Sequence, residues 1–203
     1  RPRQRRKRDR RGGLMTSILP FDELNNFVDR LKARFPDGKL PPQEEAKEEE
    51  EDIIDEMLDL FLLAYAMGNN VTNANLSSEW TPSLDEAMEV VDERISGKTW
   101  RERVEEYFAN GGSVDDLIRI AETETHRDAN ESALNTAKRA GAKTKTWITM
   151  ADEKVRDTHQ YLELMTVGID EDFYTYDEDH APAPGMFLLP QNNVNCRCEL
   201  IFS

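Results

Sequence analysis

Cysteine is almost missing from this chain: among 203 residues there are two, Cys196 and Cys198, one residue apart. A bridge between such close neighbours would close a small, strained ring, so free thiols are expected and a cross-linked secreted scaffold has no support. Long apolar runs are missing too. The longest, Ile53 to Met67, is interrupted by Asp55, Glu56 and Asp59, which falls short of the roughly 18 uninterrupted residues of a membrane helix. No charged-then-apolar leader opens the chain, so an intracellular or in-virion setting is expected. The first residue is Arg1 instead of Met, which predicts numbering inside a longer product. Also lacking are a Gly-rich phosphate loop, a Gly-x-Ser-x-Gly elbow, a His-Glu-x-x-His pair and any repeat of 20 to 50 residues, which leaves the common hydrolase and nucleotide-binding signatures without a match.

Charge is abundant and unevenly placed. Charged residues make up 33% of the chain and mean hydropathy is -0.73, so part of it is expected to be tail. Net charge is -15, yet residues 1–13 carry eight basic side chains (Arg1, Arg3, Arg5, Arg6, Lys7, Arg8, Arg10, Arg11) against Asp9, which leaves the remainder at -22. A run this basic is predicted to be a disordered arm that contacts DNA phosphates in a salt-dependent, sequence-independent way, while the acidic body repels polyanions. The alternatives are a solvated linker or a contact to an acidic protein surface. A second block, Glu44 to Asp59, is strongly acidic and is a candidate contact for a basic partner.

Apolar spacing predicts a mainly helical body. Phe21, Leu24, Phe27, Val28, Leu31 and Phe35 recur at helical intervals between Pro20 and Pro36, and packing against its own chain is the commoner fate of such a helix. Pro36, Gly38, Pro41 and Pro42 mark a linker with a boundary near residue 40. Ile53 to Met67 reads as a buried helix ended by Gly68. Ser83 with Glu86, Thr99 with Glu102 and Ser113 with Asp116 have helix-start spacing, and the last of these opens a long helix running to Gly141. Beyond it, Thr146 to Thr149, Phe173 to Tyr176 and Cys198 to Phe202 look like short strands among Pro182, Pro184, Gly185 and Pro190. The fold class is therefore α+β: a disordered basic arm (1–13), a short helix with a Pro-rich linker (14–42), a helical domain (43–141) and a small C-terminal module with a β-ribbon or sheet (142–203).

Two polar sets stand out. Thr123, Glu124, Thr125, His126 and Arg127 crowd the long helix, where Glu124 and Arg127 at i,i+3 can pair and His126 could bond the facing module. Later come Asp152, Arg156 and His159, then Cys196, Arg197 and Cys198. Asp152 and Arg156 are expected to form an i,i+4 ion pair that fixes the turn before His159. The two cysteines should alternate along a strand and share a face, with Arg197 pointing the other way.

The order of these sets resembles a known family. Thr-Glu-Thr-His-Arg (123–127), Lys-x-Trp ending at Trp147, Asp-x-x-Val-Arg-x-x-His (152–159), a Pro-Gly stretch and Asn-Cys-Arg-Cys (195–198) are similar to the phage head morphogenesis, minor head protein or Mu protein F-like family, over about residues 84 to 200. The resemblance implies a non-enzymatic minor head protein of a tailed phage or prophage. It would sit in the virion head interior or at the portal vertex, passing through host cytoplasm during assembly. Its partners would be portal, major capsid or scaffold proteins, with double-stranded DNA reached through the arm, no membrane, and room for an oligomer. Thr123, Glu124, His126, Trp147, Asp152, Arg156 and Asn195 carry the family motifs as structural residues.

Many family members place Cys-x-x-Cys where this chain has Asp157 to Gln160, and a His near the position of Asn193, a pattern suited to zinc. Here His159, Cys196 and Cys198 remain, with His180 or an Asp as the candidate fourth ligand. No other cofactor is expected. The rival reading is a zinc-dependent hydrolase or a nucleotide-modifying, toxin-associated domain that uses Glu124, His159 and the two cysteines.

Overall fold

The computed structural model describes residues 16–203. Seven helices and five short strands follow one another: α1 (Phe21–Arg34), α2 (Lys47–Leu76), α3 (Leu84–Val91), α4 (Trp100–Ala109), α5 (Val114–Arg139), β1 (Thr144–Ile148), α6 (Asp157–Leu162), β2 (Thr166–Gly168), β3 (Phe173–Tyr174), β4 (His180–Ala181), α7 (Pro190–Asn193) and β5 (Glu199–Phe202). None of the described helices is long and apolar enough to cross a membrane. The predicted basic arm, with Arg1, Arg3, Arg5, Arg6, Lys7, Arg8, Arg10 and Arg11, lies outside the described residues.

α2 and α5 form the central pair. α2 does not stop at Gly68 as the sequence predicts; it runs on to Leu76. The glycine serves close approach instead of chain termination: a Cβ there would sit 2.2 Å from the Ala129 carbonyl oxygen of α5. Around this crossing the Ser132 hydroxyl donates to the Tyr65 carbonyl at 2.6 Å, and the Asn69 amide donates to the Thr136 hydroxyl at 2.9 Å. Small residues let the two backbones meet, and the polar groups that this exposes to each other are satisfied in pairs.

Three helices start as their spacing predicts. In α3, α4 and α5 the Ser83, Thr99 and Ser113 hydroxyls accept the amide three residues on, and Glu86, Glu102 and Asp116 return a carboxylate to the cap amide. α1 packs on its own chain: Phe27, Leu31 and Phe35 enter one core with Ile53, Met57 and Phe61 of α2, Trp100, Val104 and Phe108 of α4, and Leu117 and Ala121 of α5. The Pro-rich segment after α1 is strapped to the α4–α5 turn by Leu40 N–H to the Gly112 carbonyl and Val114 N–H to the Gly38 carbonyl, each 3.1 Å, and Leu40 is buried.

The C-terminal region is a three-stranded antiparallel sheet in the order β2-β1-β5, plus a β3-β4 ribbon. Its separate core gathers Trp147, Leu162, Phe173, Phe187, Cys196, Cys198 and Leu200 around Leu134 of α5. β2, which the sequence reading omitted, is three residues long and only partly buried, too short for alternation to show.

Candidate functional site

The site forms where the C-terminal core meets α5. Trp147 of β1 is fully buried and gathers rings edge-on or tilted: Phe173 at 5.1 Å, His159 at 5.4 Å and Phe187 at 5.6 Å between centroids. His159 reaches this core from α6, which begins after Arg156. From the other side comes the segment after α7. Asn195 adopts φ 58°, a left-handed conformation that asparagine tolerates better than most residues. The chain then extends, and Cys196 and Cys198 face inward while Arg197 turns out, as alternation predicts. The Arg197 guanidinium grips Asp152 with two bonds of 2.8 and 2.9 Å.

Both sulfurs lie 3.5 Å from His159 Nδ1, and the three donor atoms fall within 4.8 Å of one another. All three residues are buried, and the cavity beside them measures about 10 Å³, room for one water. Burial opposes thiolate formation at Cys196, but hydrogen bonding from Cys198 and the nearby Arg156 and Arg197 more than offset it and lower this thiol. Its bond to Cys196, together with burial, holds Cys198 well above the usual thiol range. The set supplies three of the four donors of a zinc site, with room for one water as the fourth: tetrahedral Zn–S and Zn–N bonds of about 2.3 and 2.0 Å place nitrogen and sulfur roughly 3.5 Å apart, which is the spacing found for both thiols. His180, the predicted fourth ligand, is elsewhere. Its Nδ1 bonds Asp172 at 2.7 Å and its ring stacks on Tyr174.

On the opposite side of this extended segment, which the sequence predicts as the start of a strand at Cys198 but which precedes β5, α5 holds the module by its backbone. His126 Nε2 donates to the Cys198 carbonyl at 2.8 Å, and the Asn130 amide donates to the same oxygen at 3.3 Å. Burial lowers the His126 pKa, which favours the neutral ring in this role. Gly185, at φ 85°, lies against this helix so closely that a Cβ would come within 2.9 Å of His126 Nδ1 and 3.1 Å of Arg127 Cα. The Thr-Glu-Thr-His-Arg, Pro-Gly and Asn-Cys-Arg-Cys motifs, up to 72 residues apart in sequence, thus meet at one joint.

Beside the joint, the predicted Glu124–Arg127 pair is present at 3.1 Å and belongs to a larger network. Arg127, buried, also binds Glu93 at 2.6 Å, Glu131 at 3.0 Å and the Val90 carbonyl at 2.7 Å, while Arg103 of α4 caps Glu124. Asp128 is fully buried; its only partner by charge among the described residues is Arg127, at 3.0 Å, and neither carboxylate oxygen accepts a hydrogen bond. Burial raises it well above the carboxylate range and raises Glu131 to about 7. Thr123 is half-buried at the edge of this network.

The expected Asp152–Arg156 ion pair does not form. Residues 152–155 are a turn instead of a helix, so i,i+4 geometry is lost. Asp152 goes to Arg197, and Arg156 donates to the Val194 carbonyl, tying α6 to the cysteine-bearing segment. Asp179 escaped the sequence reading because it sits in an acidic run that looks solvated. It is buried, and accepts the Leu188 and Leu189 amides at 3.1 Å each and the Asn192 side chain at 2.8 Å. Lys145 escaped it as well: fully buried, with its ammonium 5.6 Å from the Phe173 ring centre, it is lowered by burial to about 8.

No solved structure matches this chain. The NAD(+)--arginine ADP-ribosyltransferase EFV of Enterococcus faecalis is 36% identical over 93 residues, 44% of this chain and 19% of that protein. The minor head protein GP7 of Bacillus phage SPP1 is 31% identical over 85 residues, 40% of this chain and 28% of that protein. The chain therefore spans less than a third of the length of either curated relative. Residues 69–201, which hold the joint, the thiols and His159, match the model of the family described as Phage Mu protein F like protein, and the chain belongs to that family.

Proposed function

We propose that this chain is a non-catalytic minor head component of a tailed phage or prophage that works by docking in the head, at the portal or the inner capsid surface. The observation that carries the reading is how the family motifs are used. His126 and Asn130 donate to the Cys198 carbonyl, Gly185 packs against His126 and Arg127, and both thiols bond His159, so the motifs are spent on a buried joint, and the space left beside the thiols is the size of one water. A substrate needs a cleft some tens of times larger. Kinship with a minor head protein supports the setting. The basic residues 1–13 would add affinity for packaged DNA that weakens steeply with salt, while the acidic remainder stays off it.

Two measurements test this. Co-expression with the portal and capsid proteins of its own phage or prophage should place the chain in assembled heads, and recovery only in the unassembled fraction would sink the docking role. DNA retention by the chain with and without residues 1–13, compared from 50 to 300 mM salt, should differ most at the low end.

Within this reading, His159, Cys196 and Cys198 would hold a structural zinc, which supplies charge neutralisation for two thiolates and a cross-link between α6 and the segment before β5. Elemental analysis of protein purified without chelator should find one zinc per chain, and His159→Ala should lose it. A metal-free preparation with both thiols free to modification on unfolding would reduce the set to hydrogen-bonded thiols.

A further inference from the structure

Between Arg156 and Arg197 the chain contains no lysine or arginine, yet it contains eight aspartates and glutamates. The same span holds six of the eight large apolar or aromatic side chains that the described residues leave exposed. Scattered single hydrophobics need no explanation, but the three tyrosines among them, Tyr161, Tyr174 and Tyr176, form a strip with His180. Along β3 and the turn after it, Phe173 and Thr175 point inward and Tyr174 and Tyr176 outward, so the two tyrosines share a face. Tyr174 stacks on His180 at 5.3 Å, and Tyr176 meets Tyr161 of α6 edge-on at 6.1 Å. Carboxylates border the strip: Asp172 bonds His180, Asp177 follows Tyr176, and Asp157 lies one helical turn before Tyr161. Nearby, Leu164 is 58% exposed in a left-handed conformation (φ 62°) that a leucine adopts at a cost in energy.

We propose that this face of the C-terminal module is a docking surface for an extended, arginine-rich segment of a partner protein. Charge complementarity selects the occupant. Nucleic acid is repelled by the carboxylates, and a purely apolar partner would leave them desolvated without a counter-charge. Guanidinium groups satisfy both features at once, since they lie flat on tyrosine rings and pair two-pronged with carboxylates; an ammonium group is a compact point charge that does neither as well. Tyrosine also loses little side-chain freedom on binding, which is why it recurs in recognition surfaces. The inference stands on this surface alone and does not depend on the assembly role.

The test titrates the full chain into a fluorescent 12-residue peptide of alternating arginine and alanine, and into its lysine counterpart, following anisotropy at 50 and 300 mM salt. The arginine peptide should bind at least threefold more tightly than the lysine peptide. Tyr174→Ser with Tyr176→Ser should weaken it at least fivefold while circular dichroism and the melting temperature stay put; Tyr161→Ser alone gives a second, milder variant. Neutralising Glu48, Glu49 and Glu51 on α2, a competing acidic surface, should leave the affinity unchanged. The proposal is overturned if the tyrosine variants bind like the parent, or if the α2 variant loses binding. It is equally overturned if the tyrosines instead govern binding of a duplex DNA oligomer or self-association in sedimentation, or if deleting residues 1–13 tightens the peptide tenfold, which would make the chain's own N-terminus the occupant.

Discussion

Glycine 185 shows how one residue's missing side chain decides an interface. Its φ of 85° is unfavourable for any side chain, and an added methyl would collide with His126 Nδ1 and the Arg127 backbone. Two penalties combine, so Gly185→Ala should destabilise the fold by roughly 2–4 kcal/mol. Gly38 is a control: its φ is 73°, but nothing lies within 4 Å of the added carbon, and Gly38→Ala should cost only about 1 kcal/mol. Urea midpoints of the two variants check the difference. A buried carboxylate gives a second residue-scale prediction. The Glu131 pKa is raised to about 7, first by burial, so the folded state holds its proton more tightly than the unfolded chain does. Its contribution is then fully favourable below the unfolded value near 4.5 and is lost as pH rises through about 7. Glu131→Gln, which keeps an acceptor for Arg127, should therefore gain on the parent by on the order of 2 kcal/mol between pH 5 and pH 8. Chemical denaturation at the two pH values measures it, and a difference that is flat with pH would mean that Glu131 is ionised throughout. The site was legible at this scale where a polar residue broke a helical pattern, as at Glu124, His126 and Arg127. It was illegible at Asp179, because a carboxylate in an acidic run gives no sign that the chain will fold over it, and at Asp128, which beside Arg127 looks like half of a solvated ion pair.

Helix starts were the most readable elements because a capping box is a local circuit that closes within four residues. Thr99 is the instructive case: it starts α4, and α4 carries Arg103, whose guanidinium caps buried Glu124. Thr99→Ala should cost about 1 kcal/mol for the lost cap, seen as a lower melting temperature, and should leave the Glu102 carboxylate, now lowered by the Thr99 amide and Arg94, still held by the same amide. Helix ends were less readable. Gly68 has the signature of a stop, yet α2 passes through it, since what the glycine answers is the Ala129 carbonyl of a helix about 60 residues away in sequence. A terminator and a close-approach site share one letter, and only tertiary structure separates them. The short strands follow the same rule: β1 and β5 showed through their β-branched and aromatic residues, whereas β2 takes its pairing from β1.

Across the whole molecule α5 acts as a spine. Its first half feeds the helical core, Ala129 and Ala133 pack with Ile18, Leu19 and Ala64, and Leu134 enters the C-terminal core. The C-terminal module meets α5 at the Cys198 carbonyl, which accepts from His126 and Asn130, while the Cys198 thiol bonds His159 within the module. Loss of one donor leaves a buried carbonyl short of a partner, a cost of about 1–3 kcal/mol. The cost should fall on β5 before it reaches α2, because β5 begins at the next residue. His126→Ala should therefore speed amide hydrogen exchange through β5 and β1 by one or two orders of magnitude while the α2 amides keep their protection. Zinc on the thiol side would restrain the same residue from the other direction and, binding only the folded module, would restore protection in proportion to its occupancy. If exchange in β5 were unchanged by His126→Ala, the joint would carry no mechanical load, and the clustering of the family motifs there would need another cause.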